Sequence, residues 1–276
     1  MIIISATAQG QIIRKEKIDW IFTIGLSQIA INDWKQGETS GFEFSSSLNL
    51  SSSFRIDTFL LRLNIRYASG VQYISNNNND FEYLIPSDNL LFGETAFVYP
   101  VGWKLNPCVS AQFTTQLIES FKLVHGTRVN TASLWDPVTS IESLGFEFSS
   151  SSKENYLTSQ IGLSIKQIKA EKFTKLTDDY KTHDIKERYK HQSGIQWKTN
   201  TKIKITDEVT YRGTLGMFGS FEDLRKWTFS MTNQLNLKVF KSIGIIININ
   251  LNYDERQMMK LQYIQNIRFG FIISPN

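Results

Sequence analysis

A single cysteine, Cys108, stands in a chain of 276 residues, which excludes an intramolecular disulfide and any cysteine-based metal site. No run of about eighteen apolar residues occurs, so no transmembrane helix is available. The three histidines, His125, His183 and His191, show no HxxxH or HExxH spacing, and zinc is not expected. Asp178-Asp179 and Asp184 lie among Lys172, Lys175, Lys181 and Lys186, which reads as a solvated loop rather than a cation site. No metal or other cofactor is expected. Lysine and arginine exceed the carboxylates only enough for a net charge of +4. They never cluster into a nucleic-acid groove, so no such partner is expected. Hydrophobic residues are also scarce, at 41%, below the usual globular share. A water-soluble core of this size would want more of them.

What the chain does have is alternation. Ile243, Ile245, Ile247, Ile249, Leu251 and Tyr253 oppose Gly244, Ile246, Asn248, Asn250 and Asn252. Strict period two means extended strand, because a helix would scatter these residues around its surface. One face is aliphatic and the other amide-rich. The same signal recurs from Trp20, Phe22, Ile24 and Leu26 through to Ile267, Phe269 and Phe271, giving roughly twelve strands and no competing helical period. The connections alternate in length. Short ones are expected near 52–56, 100–104, 151–155, 199–201 and 240–243. Longer ones are expected near 30–38, 70–88, 119–140, 169–187, 217–226 and 255–260. Tight turns at one end and long polar loops at the other are the signature of outer-membrane barrels. The expected fold is therefore all-β: a closed, antiparallel, up-and-down transmembrane β-barrel of about twelve strands.

Residues 9–276 read as one barrel domain in the bacterial outer membrane. Residues 1–8 carry Ile2, Ile3, Ile4 and the small-x-small run Ala6-Thr7-Ala8, which reads as the tail of a signal peptide. Trp20, Trp103 and Trp197 are expected beside the short turns, and Trp227, Tyr253 and Tyr263 beside the long loops, as two interfacial girdles. The polar parity predicts a lumen lined by Glu43, Arg62, Arg66, Glu94, Glu147, Lys166, Lys198, Lys204, Glu208, Arg212 and Arg268. Both signs are present, with a slight cationic excess. That composition fits either a plug of ion pairs or a narrow conduit for small polar or anionic solutes. Asp207 falls on the apolar parity of its strand and marks a bulge or a boundary there.

Several motifs resemble a family of uncharacterised Gram-negative outer-membrane barrels, known only as a domain of unknown function. They are Leu26-Ser27-Gln28, Asn32-Asp33-Trp34, Gly37-Glu38, Trp135-Asp136-Pro137 and Tyr253-Asp254. The resemblance implies location and fold and carries no activity. The chain departs from such barrels in ending Ser274-Pro275-Asn276 rather than in an aromatic residue, a role Phe271 is placed to take.

Three functional readings follow. The first is a narrow channel or structural surface barrel in contact with outer-membrane lipid. The second rests on His191-Gln192-Ser193-Gly194, which resembles the His-x-Ser-Asn-Gly motif of outer-membrane phospholipase A. His191 and Ser193 would be base and nucleophile on the lipid-facing side, but the motif's asparagine is missing. The third is a surface module binding a partner through its long loops, where Trp34 and Trp135 are the residues to test.

Overall fold

A computed structural model describes residues 13–32, 41–75, 82–124, 127–152, 154–178, 186–224, 227–254 and 258–274. Twelve strands close a barrel. They are β1 (Ile13–Asn32), β2 (Gly41–Ile56), β3 (Phe59–Ser75), β4 (Glu82–Val98) and β5 (Leu105–Thr115). After a side hairpin come β8 (Val138–Ser151), β9 (Tyr156–Lys169), β10 (Tyr189–Lys204) and β11 (Val209–Ser220). The last three are β12 (Trp227–Phe240), β13 (Ile243–Asp254) and β14 (Met258–Ile273). Each pairs antiparallel with its neighbour in sequence, and β14 returns to pair with β1, Leu26 opposite Phe269. The hairpin, β6 (Ser120–Val124) and β7 (Thr127–Ala132), forms its own small sheet beyond the end of β5.

Closure follows from the solvent: in hydrocarbon an unpaired backbone group costs several kcal/mol, so a sheet with a free edge cannot face lipid. At the seam Gly25 lies opposite Gly270. A Cβ on Gly270 would stand 2.1 Å from the Ile24 carbonyl oxygen, so the two backbones approach closely only because neither residue carries one.

Burial is inverted relative to a soluble protein. Phe42, Leu144 and Leu163 on the outer face are 71%, 63% and 62% exposed, whereas inward-facing Thr23 and Glu147 are fully buried. Polar and charged side chains outnumber hydrophobic ones among the buried positions, and the one apolar cluster inside is Ile21, Ile246 and Ile272 among the described residues. A contiguous apolar belt on the outside needs a cover.

Several boundaries differ from expectation. The connection expected near 70–88 is mostly strand, because β3 runs to Ser75 and β4 starts at Glu82. Ser51, Ser52 and Ser53 are strand as well, paired with Asn64, Leu63 and Arg62, and the turn falls at Asp57-Thr58, where Asp57 takes a positive φ of 52°. Likewise β10 continues through 199–201 to Lys204, and the turn is at 205–208. Serine, threonine and asparagine resemble turn residues, but inside a polar barrel they are simply the inward side of a strand. The Asp207 irregularity is therefore a turn, not a bulge. The long connection near 119–140 contains the β6–β7 hairpin, which is tied to β4 through Asn89. The Asn89 side chain accepts from the Leu117 N–H at 2.8 Å and donates to Ser120 Oγ at 2.8 Å.

Candidate functional site: a polar lumen in two chambers

Inward-facing charges come in three tiers. Nearest the short turns, Asp19 on β1 accepts from Lys202 Nζ on β10 and Arg212 Nη1 on β11, each at 2.8 Å. These bonds cross the lumen between residues far apart in sequence. In the middle tier Arg62 pairs with Glu147, and Lys198 Nζ meets Glu94 at 2.5 Å. Phe92 joins this tier, with Arg66 stacked 4.1 Å from its ring centroid and Lys198 at 4.8 Å.

The third tier is centred on Arg268, which is 2% exposed. Its guanidinium reaches Asp88 Oδ2 at 3.2 Å and Glu43 Oε1 at 3.8 Å. It also donates to Thr23 Oγ1 at 3.0 Å, Ser47 Oγ at 3.1 Å and Ser27 Oγ at 3.3 Å. One side chain from β14 thus holds β1, β2 and β4 across the seam. Glu43 accepts further bonds from Ser87 and, at 2.7 Å, from Asn266 Nδ2. Ser87 and Asp88 are inward neighbours because the β3–β4 register shifts between Ser69 and Val71, which sets two residues against Gly70 and re-aims them. Gly70 permits this: a Cβ there would lie 2.7 Å from Ser87 Oγ.

Two cavities occupy the lumen. The larger, about 520 Å³, opens toward the short turns and is lined by the serine runs 51–53 and 149–152, with Arg55 and Tyr156. The smaller, about 280 Å³, lies toward the long loops and is lined by Asn49, Arg66, Asn248, Asn250, Asn252 and Arg268. The middle tier stands between them.

Of the residues expected in the lumen, Glu43, Arg62, Arg66, Glu94, Glu147, Lys198, Arg212 and Arg268 all take part in these tiers. Lys166 points inward, 5.5 Å from the Phe218 ring. Lys204 sits at the short-turn mouth, bonded to Glu154 at 2.9 Å and Asp207 at 2.7 Å. The hydrogen bond from Lys204 holds the Asp207 carboxyl below the usual carboxylate range. Glu208 is a correction: it is exposed in the 205–208 turn, where its carboxylate accepts from Thr206 Oγ1 at 3.0 Å. Asp19, Asp88 and Lys202 were missed. Asp88 fell in a stretch read as loop, and only closure of the barrel brings Asp19 to its cations. With them, most of the apparent cationic excess is paired.

On the outer face, Trp103 is 80% exposed in the short connection before β5. Trp227 opens β12 and Tyr253 lies near the end of β13, both beside long connections. Trp20 lies well inside β1, and Tyr263 lies within β14. Trp197 stands in the middle of β10, away from either strand end. Its indole N–H donates to Ser159 Oγ at 2.9 Å, and that bond lets a tryptophan sit in an apolar belt. Trp34, His125, His183 and residues 1–8 lie outside the described residues. Trp135, in the turn before β8, is half-exposed and packs on Phe113 with centroids 5.9 Å apart. Its neighbour Asp136 is buried and accepts from the Glu171 and Lys172 N–H groups at 3.0 and 2.8 Å. The Trp-Asp-Pro motif thereby ties two long loops together.

His191 and Ser193 are exposed on the outer face of β10, opposite Gln167 and Ile165. Residues two apart on a strand are separated by about 6.7 Å along its axis, and among the described residues no hydrogen bond joins the two. Gln167 is engaged elsewhere, accepting from Tyr189 Oη at 2.5 Å and donating to Glu142 at 3.3 Å. A nucleophile needs its base within about 2.6–3.2 Å, and this pair does not have it.

The closed sheet, apolar exterior and polar interior define an outer-membrane type of β-barrel. Residues 26–121 match a family model described as a protein of unknown function, DUF3078. The chain thus resembles an uncharacterised outer-membrane barrel family. No curated protein matches it in sequence. Among solved structures it is similar to a loop L8 deletion mutant of OmpT, an outer membrane protein of Vibrio cholerae. That pair has 7% identity and a TM-score of 0.41, covering 93% of this chain and 99% of the other. It is similar also to the NanC porin, at 9% identity and TM-score 0.44, covering 92% and 98%. A third is the translocator domain of the autotransporter NalP from Neisseria meningitidis, at 8% identity and TM-score 0.35, covering 94% and 88%.

Proposed function

We propose that the chain resides in the bacterial outer membrane and that its lumen is a narrow pathway for small polar solutes. The observation that carries the location is the inverted burial, with large aliphatic and aromatic side chains outward and paired charges within. In water that outer belt would drive aggregation, whereas lipid covers it without cost. The pathway reading rests on the two polar chambers, one toward each mouth, with a single charged tier between them. Ion pairs that bridge the walls set the width there, so passage is restricted to solutes that can slip past Arg62–Glu147 and Glu94–Lys198.

Planar-bilayer recording tests this. Discrete conductance steps are expected from the wild type, and replacing Glu94 and Lys198 together by alanine should enlarge them by removing the bridge. A silent bilayer for both proteins would refute the pathway and leave a structural barrel. The lipid-hydrolase reading gains no support from the geometry of His191 and Ser193. The surface-module reading keeps Trp135 as its exposed candidate.

A further inference from the structure

We infer that the chamber on the long-loop side binds a small hydroxylated carboxylate, with Arg66 taking the carboxylate. The inference rests on the pathway reading and names a solute class for it.

The first observation is the state of Arg66. Its Nε is buried with no hydrogen-bond partner among the described residues, and its guanidinium carbon lies over the Phe92 ring, 4.1 Å from the centroid. Glu94, the carboxylate nearest in effect, is held by Lys198 at 2.5 Å. The other cations around it are matched, Arg62 by Glu147 and Arg268 by Glu43 and Asp88. Arg66 and Lys198 therefore share one carboxylate while Arg268 holds two, with Asp88 of the chamber wall among them. The charges balance in number, but Arg66 has no carboxylate in direct contact among the described residues. A guanidinium left so, away from bulk water, is unfavourable. A planar carboxylate matches its fork with two parallel hydrogen bonds.

The second observation is the wall above that charge. Asn248, Asn250 and Asn252 alternate along β13, and Asn49 also lines the chamber. Among the described residues none of these four amides makes a hydrogen bond. The Asn266 Oδ1 is likewise buried and unpartnered, although its amide nitrogen serves Glu43. Side-chain amides offer donors and acceptors together, which suits hydroxyl groups that are both. An anion without hydroxyls would leave this wall unused, and a neutral polyol would leave Arg66 unmatched. The volume of about 280 Å³ falls just under the roughly 300–1,000 Å³ of drug-sized sites, so the ligand is small.

Isothermal titration of the folded barrel in detergent micelles tests the site, with gluconate as the probe, sorbitol as its uncharged analogue and acetate as the bare carboxylate. Gluconate should bind more tightly than either. Arg66→Gln should weaken gluconate by about tenfold to a hundredfold, the loss of a charge-assisted pair, and bring it level with sorbitol. Arg66→Lys, which keeps the charge and guards against a folding defect, should fall between. Asn250→Ala should weaken gluconate and leave acetate unchanged. Gluconate no tighter than sorbitol, or indifferent to Arg66→Gln, would overturn the inference. Conductance in the same preparation separates the two readings. Channels without gluconate binding defeat the site alone, and binding without channels defeats the pathway alone.

Discussion

Replacing Arg268 by glutamine should loosen the barrel at its seam more than any other single inward substitution. The guanidinium is the only cation within reach of Glu43 among the described residues, and Glu43 is 2% exposed. Asp88, whose side chain is 35% exposed, can turn to water when the cation goes. Glu43 cannot. It keeps Ser87 and Asn266 as donors, but no positive charge. Removing one partner of a buried pair costs about 3–5 kcal/mol, because the other charge stays buried. Glutamine can retain one or two of the bonds to Thr23, Ser27 and Ser47, each about 1 kcal/mol, so the expected loss lies near the lower end, about 3 kcal/mol. The assay is urea unfolding of the barrel in lipid vesicles, followed by tryptophan fluorescence. The control is Glu43→Gln in the Arg268→Gln background. With the stranded carboxylate neutralised, much of the loss should return. A single variant within about 1 kcal/mol of wild type would refute the clamp, and so would a double variant whose costs simply add.

Two further substitutions probe the two faces. Ile247 lies on the outer face of β13 between Leu235 and Ile267, and Ile247→Arg should cost about 2–4 kcal/mol in vesicles if that face meets the bilayer midplane. Tolerance of the arginine in the same unfolding assay would mean the belt is covered by something other than lipid. Gly70→Val should push Ser87 off Glu43, given 2.7 Å from the added Cβ to Ser87 Oγ, and cost about 1–3 kcal/mol as overpacking. Unchanged stability would show that the bulge is adaptable.

Much of the fold was legible because lipid and lumen impose opposite demands on alternate residues. The run Ile243 to Tyr253 declares its two faces without any neighbour, and an even number of such runs places the termini together. Strand ends were less legible. The serines at 51–53 and the Thr199-Asn200-Thr201 stretch resemble turn residues, yet they are inward wall, because in a water-lined barrel polar residues carry no local signal of where a strand stops. Trp197 misled for the opposite reason: its ring belongs to the interface by type, but a bond to Ser159 satisfies it in mid-strand.

Within the regular part of each strand the sequence by itself determined which side chains face inward and which outward, since a period of two is a property of each strand alone. It did not do so at the 205–208 turn or at the β3–β4 bulge. It could not determine which inward charges meet. Asp19 finds Lys202 and Arg212, and Arg268 finds Glu43 and Asp88, only after the sheet closes on itself and a register shift at Gly70 re-aims one strand. Those pairings decide that Arg62, Lys198, Arg212 and Arg268 each touch a carboxylate and that, among the described residues, Arg66 does not. The reason is physical: parity depends on neighbours along the chain, whereas compensation of charge depends on distance across the lumen.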